Sequence, residues 1–265
     1  MTVADESPKP ATAREVVARL RDAPLDEARE LVERYADDPR KQVQKAVTST
    51  RHRIEKEDAE RERVRKMYAL ERELGNGGLV VGVDEVGRGA LAGPLMVGAV
   101  ALPAEPVIRG INDSKQLSPA RREELAAQIE EVALAIGIAQ VEAAEIDQMG
   151  MATALRVAMS QAIAATGVEP DCVIIDGNPV HVHPKEICVV HGDAQVASVA
   201  AASIVAKVTR DALMVALADD YPDYHLAESK GYGSAEHIAA IREFGLTPIH
   251  RATFCEGLKE TPRLF

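Results

Sequence analysis

The sequence has little of what several protein classes require. Only three cysteines occur among 265 residues, and none of them shows C-x-x-C spacing. We therefore expect neither a disulfide framework nor a thiolate zinc site. No apolar run is long enough to span a bilayer, and the N-terminus lacks the apolar core of a signal peptide. We therefore expect no membrane association and a cytoplasmic location. Tryptophan is absent and aromatic residues make up 3% of the chain, so an aromatic side chain between two glycines stands out as a contact surface.

Excess positive charge is also missing, because the formal net charge is −11. Broad, non-specific nucleic-acid binding usually needs a basic surface, but a local basic groove is compatible with this charge. One such stretch lies between residues 40 and 56, where six basic residues accompany a single acid, Glu55. A solvated helix face and a nucleic-acid contact explain that stretch equally well. Its basic residues are Arg40, Lys41, Lys45, Arg51, Arg53 and Lys56.

Periodicity divides the chain into two parts. Residues 12–75 show no strand pattern and predict helices throughout, with a break near Pro24. From residue 79 onwards, apolar runs predict strands at 79–84, 94–102, 133–142, 172–176 and 186–190, and the first two should form a hairpin. Helices are predicted near 118–132, 151–166, 193–220 and 234–244. The mixture predicts an α/β domain at 74–265 with a partly antiparallel sheet, preceded by a helical region at 1–73.

Three apolar runs end in aspartate: "VVGVD" at Asp84, "CVIID" at Asp176 and "ICVVHGD" at Asp193. In α/β sheets, ligands bind at the carboxyl ends of strands. Asp193 has an alternative role, because it falls at the N-cap position of the predicted long helix. Carboxylates that share one sheet edge repel one another unless a cation lies among them, and oxygen ligands without Cys or His favour Mg²⁺ or Mn²⁺. Glu85 can share that metal only where its strand ends or twists.

The glycines after Asp84 allow two rival interpretations. "GVDEVGRG" approaches the Walker A pattern, but Arg88 replaces the lysine and Gly89 replaces the hydroxyl residue. "GRGALA" matches the dinucleotide fingerprint, yet Pro94 and a second predicted strand follow where a crossover helix is needed. Neither rival is favoured. His181 and His183 form an H-x-H between prolines, which predicts a polar loop more than a metal site.

Five segments resemble, in order, the signature segments of ribonuclease HII, over residues 79–254. They are "VDEVGRGALAGP", "NDSKQLSP", "VIIDGN", "HGDAQVASVAAASIVAKVTRD" and "YPDYHLAESKGYGSAEH…HRATF". The resemblance implies a ribonuclease H-like α/β fold, a mixed sheet flanked by helices. It also implies an endonuclease, expected as a monomer, that cleaves the RNA strand of RNA–DNA hybrids. The same resemblance implies cleavage 5′ of single ribonucleotides in duplex DNA, leaving 5′-phosphate and 3′-hydroxyl ends.

The resemblance assigns residues by position. Metal-binding carboxylates fall on Asp84, Glu85, Asp176 and Asp193, and the metal would activate a water and stabilise the leaving oxygen. The loop that reads the ribose 2′-hydroxyl and adjoining phosphates falls on Gly87, Arg88 and Gly89. The ring face of Tyr232, and not its hydroxyl, would pack on the sugar beside the ribonucleotide. Phosphate contacts are implied for Lys115 and Lys230, although a turn role explains Lys115 equally well.

Two other functions are weighed against this one. A type-III ribonuclease H usually carries Gly-Thr-Gly or Gly-Ser-Gly in its loop and a strand-rich N-terminal platform, so Arg88 and the helical N-terminus count against it. A non-catalytic duplex-binding protein would gain nothing from four acids that oppose phosphate binding. The helical N-terminus resembles an extension of some family members and is expected to contact the DNA duplex. The C-terminal "TPRLF" faintly resembles peptides that dock on sliding clamps, but a frayed tail is favoured.

Overall fold

The computed structural model of the protein describes residues 11–258. The chain divides into two compact units, of which the first ends at Arg63 and the second begins at Val64. The sequence analysis placed a domain boundary between residues 73 and 74 and gave each domain a role. That domain assignment stays a prediction. The helices are α1 Ala13–Asp22, α2 Leu25–Arg34, α3 Lys41–Leu74, α4 Pro119–Val132, α5 Ala143–Met149, α6 Met151–Ala165, α7 Gly192–Gln195, α8 Ala197–Asp220, α9 Leu226–Ser229 and α10 Ala235–Phe244. None of these helices is long and apolar enough to cross a bilayer.

The first unit is helical, as its periodicity predicts. A capping box starts α1, in which the Thr12 hydroxyl accepts from Glu15 N and the Glu15 carboxylate accepts from Thr12 N. The predicted break near Pro24 separates α1 from α2. One apolar stripe from each helix forms a buried core, which includes Val16, Leu20, Ala28, Leu31, Val43 and Val47.

The second unit contains a mixed five-stranded sheet with the order β3-β2-β1-β4-β5. The strands are β1 Val80–Val86, β2 Leu95–Ala101, β3 Ala135–Val141, β4 Cys172–Asp176 and β5 Glu186–Val189. β1 pairs with β2 and β2 with β3 in antiparallel fashion, whereas β1–β4 and β4–β5 are parallel. The predicted hairpin and the predicted mixed sheet are therefore confirmed. The parallel pairing of β1 with β4 places the ends of both strands at the same edge of the sheet.

Small residues let α8 pack closely on β1 and β2. A Cβ atom added at Gly82 would lie 2.3 Å from Val199 N, and one added at Gly98 would lie 2.5 Å from Ala202 O. Neither position has room for a side chain, so glycine is required there by packing. The opposite face of the sheet packs on α6, whose Ala158 and Ala162 are fully buried.

The predicted helix at 193–220 is divided in two. Val196 is extended (φ −124°, ψ 127°), so the one-turn helix α7 ends at Gln195 and α8 begins at Ala197. Asp193 therefore lies inside α7, and the alternative role of Asp193 as the N-cap of the long helix is wrong. The Glu71 carboxylate accepts a 2.6 Å hydrogen bond from Ser198 N in the first turn of α8. This bond supplies the acceptor that the orphan amides at a helix start require.

Candidate active site

Two aspartates stand at the ends of neighbouring parallel strands. Val83 and Ile175 are paired in the sheet, so Asp84 of β1 and Asp176 of β4 follow at the same edge. Gly192 N donates a 2.6 Å hydrogen bond to Asp176 Oδ1, which ties α7 and its Asp193 to the end of β4. We call Asp84, Glu85, Asp176 and Asp193 the acidic edge.

Asp84 is the most buried member of the acidic edge, with 5% of its surface exposed. Its Oδ1 accepts a 2.8 Å hydrogen bond from Glu85 N, and the Ser203 hydroxyl is a second partner. Burial raises the pKa of Asp84 to about 8, and the charges of Glu85 and Asp176 add to the rise. A nearby cation would favour the ionised form of this carboxylate.

Glu85 lies near the end of β1, two residues before Gly87. Burial raises its pKa, although Arg88, whose Nη1 lies 3.4 Å from Glu85 Oε1, opposes the rise. Asp176 also raises the pKa of Glu85, so the two side chains are within electrostatic reach of each other. Neighbouring residues on a strand normally point to opposite faces of the sheet, but near the end of β1 Glu85 and Asp176 still interact.

Asp193 has a partner that the sequence analysis missed. Burial raises the pKa of Asp193 to about 6, and Asp113, which is hydrogen-bonded to it, and Asp176 contribute further. Lys115 opposes this rise, and its own pKa is raised, because the surrounding acids outweigh the effect of burial. Asp113 also accepts a 2.9 Å hydrogen bond from Lys115 N. The segment "NDSK" thus brings Asp113 and Lys115 to the acidic edge. The resemblance had assigned a role only to Lys115.

The side chains of the acidic edge lie at the ends of β1 and β4 and in α7. Within residues 11–258, no group of three or more His, Cys, Asp or Glu side chains is arranged so that it could hold a metal ion. His181 and His183 lie in the loop before β5, as predicted. The Glu186 carboxylate organises that loop, because it accepts hydrogen bonds from the backbone of Val180, His181 and Val182.

A loop and a turn meet beside β1. We call residues 87–93 the glycine loop and residues 230–232 the tyrosine turn. Leu91 N and Ala92 N both donate to Gly231 O, at 2.8 and 3.1 Å. Gly87 has a φ of +83° and its amide donates a 3.1 Å hydrogen bond to the Tyr232 hydroxyl. That hydroxyl is therefore engaged within the protein, a role that the sequence analysis did not give it.

The remaining predicted substrate contacts differ in their surroundings. The Arg88 side chain is 62% exposed, and Gly89 is exposed with open space where a Cβ would lie. The Tyr232 ring is half-buried, with Lys207 Nζ 5.8 Å and Arg210 Cζ 5.3 Å from its centroid. The Lys230 ammonium donates to Ala227 O, so this lysine is directed to its own backbone.

Two fully buried arginines support the glycine loop, and the sequence analysis missed both. Arg251 donates to Gly93 O through Nε and Nη2 and to Arg88 O through Nη1, at 2.9 to 3.1 Å. Arg210 donates to Ala92 O, Pro94 O and Lys230 O, also at 2.9 to 3.1 Å. Burial lowers the pKa of both, that of Arg251 to about 10. They lie in "KVTRD" and "HRATF", segments that carried the resemblance without a role for either arginine.

A buried histidine pair completes this region. Thr247 N donates to His250 Nδ1 at 3.0 Å, so the ring proton of His250 is assigned to Nε2, which faces His237 Nε2 at 3.1 Å. His237 Nδ1 then donates to Tyr232 O at 2.9 Å. Burial lowers the pKa of both rings, that of His250 to about 4, so the pair is neutral at pH 7.

Comparison with known families agrees with the segments identified above. The ribonuclease HII family model matches residues 81–257, and the model of the ribonuclease HII N-terminal domain matches residues 12–75. The chain is 45% identical to ribonuclease HII of Geobacillus thermodenitrificans, over 82% of this chain and 85% of that protein. It is 43% identical to ribonuclease HII of Listeria monocytogenes, over 82% and 84% of the two chains.

Solved structures show the same fold. Ribonuclease H2 of Pyrococcus horikoshii superposes with a TM-score of 0.58 at 27% identity, covering 68% of this chain and 97% of that one. The ribonuclease HII of Archaeoglobus fulgidus, solved in complex with PCNA, gives a TM-score of 0.58 at 26% identity, covering 65% and 93%. The match to both ribonuclease HII models sets aside the type-III alternative and the non-catalytic one. The chain belongs to the ribonuclease HII family of endoribonucleases.

Proposed function

We propose that this endoribonuclease is a divalent-metal-dependent enzyme that cleaves the RNA strand of RNA–DNA hybrids. It also incises duplex DNA 5′ of single ribonucleotides and leaves 5′-phosphate and 3′-hydroxyl ends. Membership of the ribonuclease HII family supports ribonuclease H activity. The observation that carries the metal dependence is the buried Asp84, whose pKa is raised to about 8 beside Glu85 and Asp176.

The donor set fits a hard divalent cation. Asp84, Glu85, Asp176 and Asp193 offer only carboxylate oxygens, the ligands that Mg²⁺ and Mn²⁺ prefer. When bound, such ions supply activation of a water and stabilisation of the leaving oxygen. These four side chains are the ones that would hold the ion.

Residues around the acidic edge have separate tasks in this proposal. The Glu85 amide and the Ser203 hydroxyl orient the Asp84 carboxylate, and Gly192 N orients that of Asp176. Lys115 brings a positive charge to the acidic edge, where a phosphate must approach.

The glycine loop and the tyrosine turn recognise the substrate in this proposal. Arg88 and Gly89 are exposed and read the 2′-hydroxyl and the adjoining phosphates. The Tyr232 ring packs on the sugar that follows the ribonucleotide, where a 2′-hydroxyl would crowd it.

The test is cleavage of three duplexes of one sequence: DNA with a single ribonucleotide, an RNA–DNA hybrid, and DNA alone. We expect cleavage of the first two in Mg²⁺ or Mn²⁺, none of the third, and none of any in excess chelator. Ligation of the products to a 3′-hydroxyl acceptor and to a 5′-phosphate donor checks the ends.

Two outcomes would contradict the proposal. Cleavage that persists in excess chelator would exclude metal dependence. Cleavage of the hybrid without incision at the single ribonucleotide would limit the activity to hybrids. Arg156→Gln serves as a control variant, because Arg156 is exposed on α6 and has no role in the proposed site.

We propose further that the first unit contacts the nucleic-acid duplex through the basic stretch of residues 40–56. Within this stretch Arg40 is paired with Asp38, whereas Lys45, Arg51 and Lys56 are exposed. Replacing Lys45, Arg51 and Lys56 together by Gln should raise KM and make its salt dependence shallower, with a nearly unchanged saturated rate. An unchanged KM would contradict this contact and favour the alternative that the stretch is a solvated helix face.

The sliding-clamp hypothesis concerns residues 261–265, which lie outside the described residues. It stays a prediction. Removal of Leu264 and Phe265 should abolish binding to a bacterial clamp while leaving cleavage of free duplexes unchanged. Clamp binding that survives the removal would dispose of the hypothesis.

A further inference from the structure

The tyrosine turn does not hold its position by local bonds alone. We propose that Arg210 is a positioning residue that fixes Tyr232 against the glycine loop and thereby sets the preference for a ribonucleotide embedded in DNA. This inference rests on the proposed function, because it requires the Tyr232 ring to act on the sugar after the ribonucleotide.

The hydrogen bonds of Arg210 join three segments. Its Nη1 donates to Lys230 O at 2.9 Å, at the start of the tyrosine turn. Its Nη2 donates to Ala92 O at 3.1 Å in the glycine loop, and its Nε to Pro94 O at 2.9 Å just beyond it. One guanidinium therefore adds to the direct bonds from Leu91 N and Ala92 N to Gly231 O in linking the turn that carries Tyr232 to the loop that carries Arg88.

The packing around Arg210 has the same consequence. A Cβ atom added at Gly87 would lie 2.2 Å from Arg210 Nε, and one added at Gly93 would lie 3.3 Å from Arg210 Nη2. The absence of a side chain at Gly87 is thus what lets the guanidinium reach the loop carbonyls. The same guanidinium carbon lies 5.3 Å from the centroid of the Tyr232 ring, which its charge attracts.

The partners of Arg210 are carbonyls and not an acid. Arg210 is fully buried and donates to three backbone oxygens, while the carboxylate of the adjacent Asp211 pairs with Lys207. A guanidinium presents several donors in one planar fork and can reach three carbonyls at once, whereas a lysine ammonium is a single point charge on a flexible stem. Arg210→Lys should therefore keep the charge but lose the link between the loop and the turn.

Arg251 provides a matched control. It is equally buried and also donates three hydrogen bonds, but all of them go to Arg88 O and Gly93 O of the glycine loop. It donates none to the tyrosine turn. Arg251→Lys should thus disturb the glycine loop and both substrates alike, since the 2′-hydroxyl that the loop reads is present in both.

The experiment measures the ratio of kcat/KM for a DNA duplex with one ribonucleotide to kcat/KM for an RNA–DNA hybrid. We expect Arg210→Lys to lower this ratio about tenfold, within the range for losing an aromatic contact with a nucleotide. Arg210→Gln should lower it at least as much, and Arg251→Lys should leave it unchanged. In a Tyr232→Ala background, Arg210→Lys should no longer change the ratio, because the residue through which it acts is gone.

The outcomes separate the inference from the function on which it rests. A wild-type enzyme that does not incise the embedded ribonucleotide refutes the proposed function. A wild-type enzyme that does so, with equal loss on both substrates in Arg210→Lys and Arg251→Lys, refutes the inference alone. Loss of the folded state in both Arg210 variants, followed by circular dichroism, would show a structural role only and overturn the inference as well.

Discussion

The acidic edge and the region formed by the glycine loop and the tyrosine turn differ in the partners that they offer to buried charge. Burial and neighbouring acids raise the pKa of Asp84 to about 8 and that of Asp193 to about 6. Arg210 and Arg251 are more deeply buried, yet backbone carbonyls satisfy both guanidinium groups. Neighbouring acids in the acidic edge thus repel one another, whereas the arginines have acceptors within the chain.

This difference has an energetic consequence. Charges that repel one another in the absence of a ligand lower the stability of the fold and are retained for function. Charges that link backbone carbonyls are costly to remove, because the carbonyls are then left without a donor, and they hold the surface that is proposed to face the substrate. Substitutions in the two regions should therefore shift activity and stability in different directions.

The largest expected effect concerns activity at the acidic edge. Asp84→Asn and Asp176→Asn should each lower cleavage roughly a thousand-fold at limiting Mg²⁺, since each removes a charge that holds the metal. In chelator, Asp84→Asn should melt no lower than the wild type, because a buried, repelled carboxylate has been made neutral. Steady-state kinetics and thermal melting of the same preparations check both statements. Wild-type turnover in either variant would exclude the proposed site.

Replacing a buried arginine beside the glycine loop should lower the stability of the fold. Arg251→Met removes three hydrogen bonds and leaves Arg88 O and Gly93 O without this donor, which should cost about 3 kcal/mol of unfolding free energy. Urea unfolding measures this loss. Arg156→Met on the exposed face of α6 is the control and should leave the unfolding free energy nearly unchanged. An Arg251→Met variant as stable as the wild type would contradict the stabilising role given to the buried arginines.

The pH dependence of stability should differ in sign between the two regions. The pKa of His250 is about 4 in the fold and near 6.5 when unfolded, so its contribution is present above pH 6.5 and is lost as the pH falls towards 4. This shift corresponds to about 3 kcal/mol. Asp84 behaves oppositely: its contribution is present below pH 3.8 and is lost as the pH rises towards 8 in the absence of metal.

Two variants isolate these contributions in unfolding measured from pH 4.5 to 8 in chelator. His250→Gln should flatten the acid side of the profile, and Asp84→Asn the alkaline side. Profiles that keep the wild-type shape in both variants would contradict the assigned charges.

The smallest expected effect concerns Tyr232. Tyr232→Ala should lower cleavage at a single ribonucleotide about ten- to a hundred-fold more than cleavage of a hybrid, because the ring contacts the following deoxyribose. Tyr232→Phe keeps the ring but loses the hydrogen bond from Gly87 N, so a loss of about fivefold is expected, equal on both substrates. The kcat/KM ratio of the two duplexes checks the prediction. Equal losses in Tyr232→Ala with a lowered melting temperature would leave the ring a structural role.

Local patterns were sufficient to predict much of this molecule. Helices α4 and α6 and strand β4 lie where periodicity and apolar runs predict them. Asp84 and Asp176 could be proposed as neighbours because each ends an apolar run, and parallel strands bring such ends to one edge. By contrast, the break at Val196 was missed, because no proline or glycine marks it and the Ala-rich pattern continues across it.

The sequence by itself determined the order of strands and helices, the oxygen-only donor set and the family segments. These features depend on residues that are close along the chain. Only the tertiary structure decided which charges are satisfied. Arg210 bonds Pro94 and Ala92, which lie 116 and 118 positions away, and His237 meets His250 only because α10 and the segment after it fold together. A buried charge finds its partners in space, and no periodic pattern records a contact over that separation.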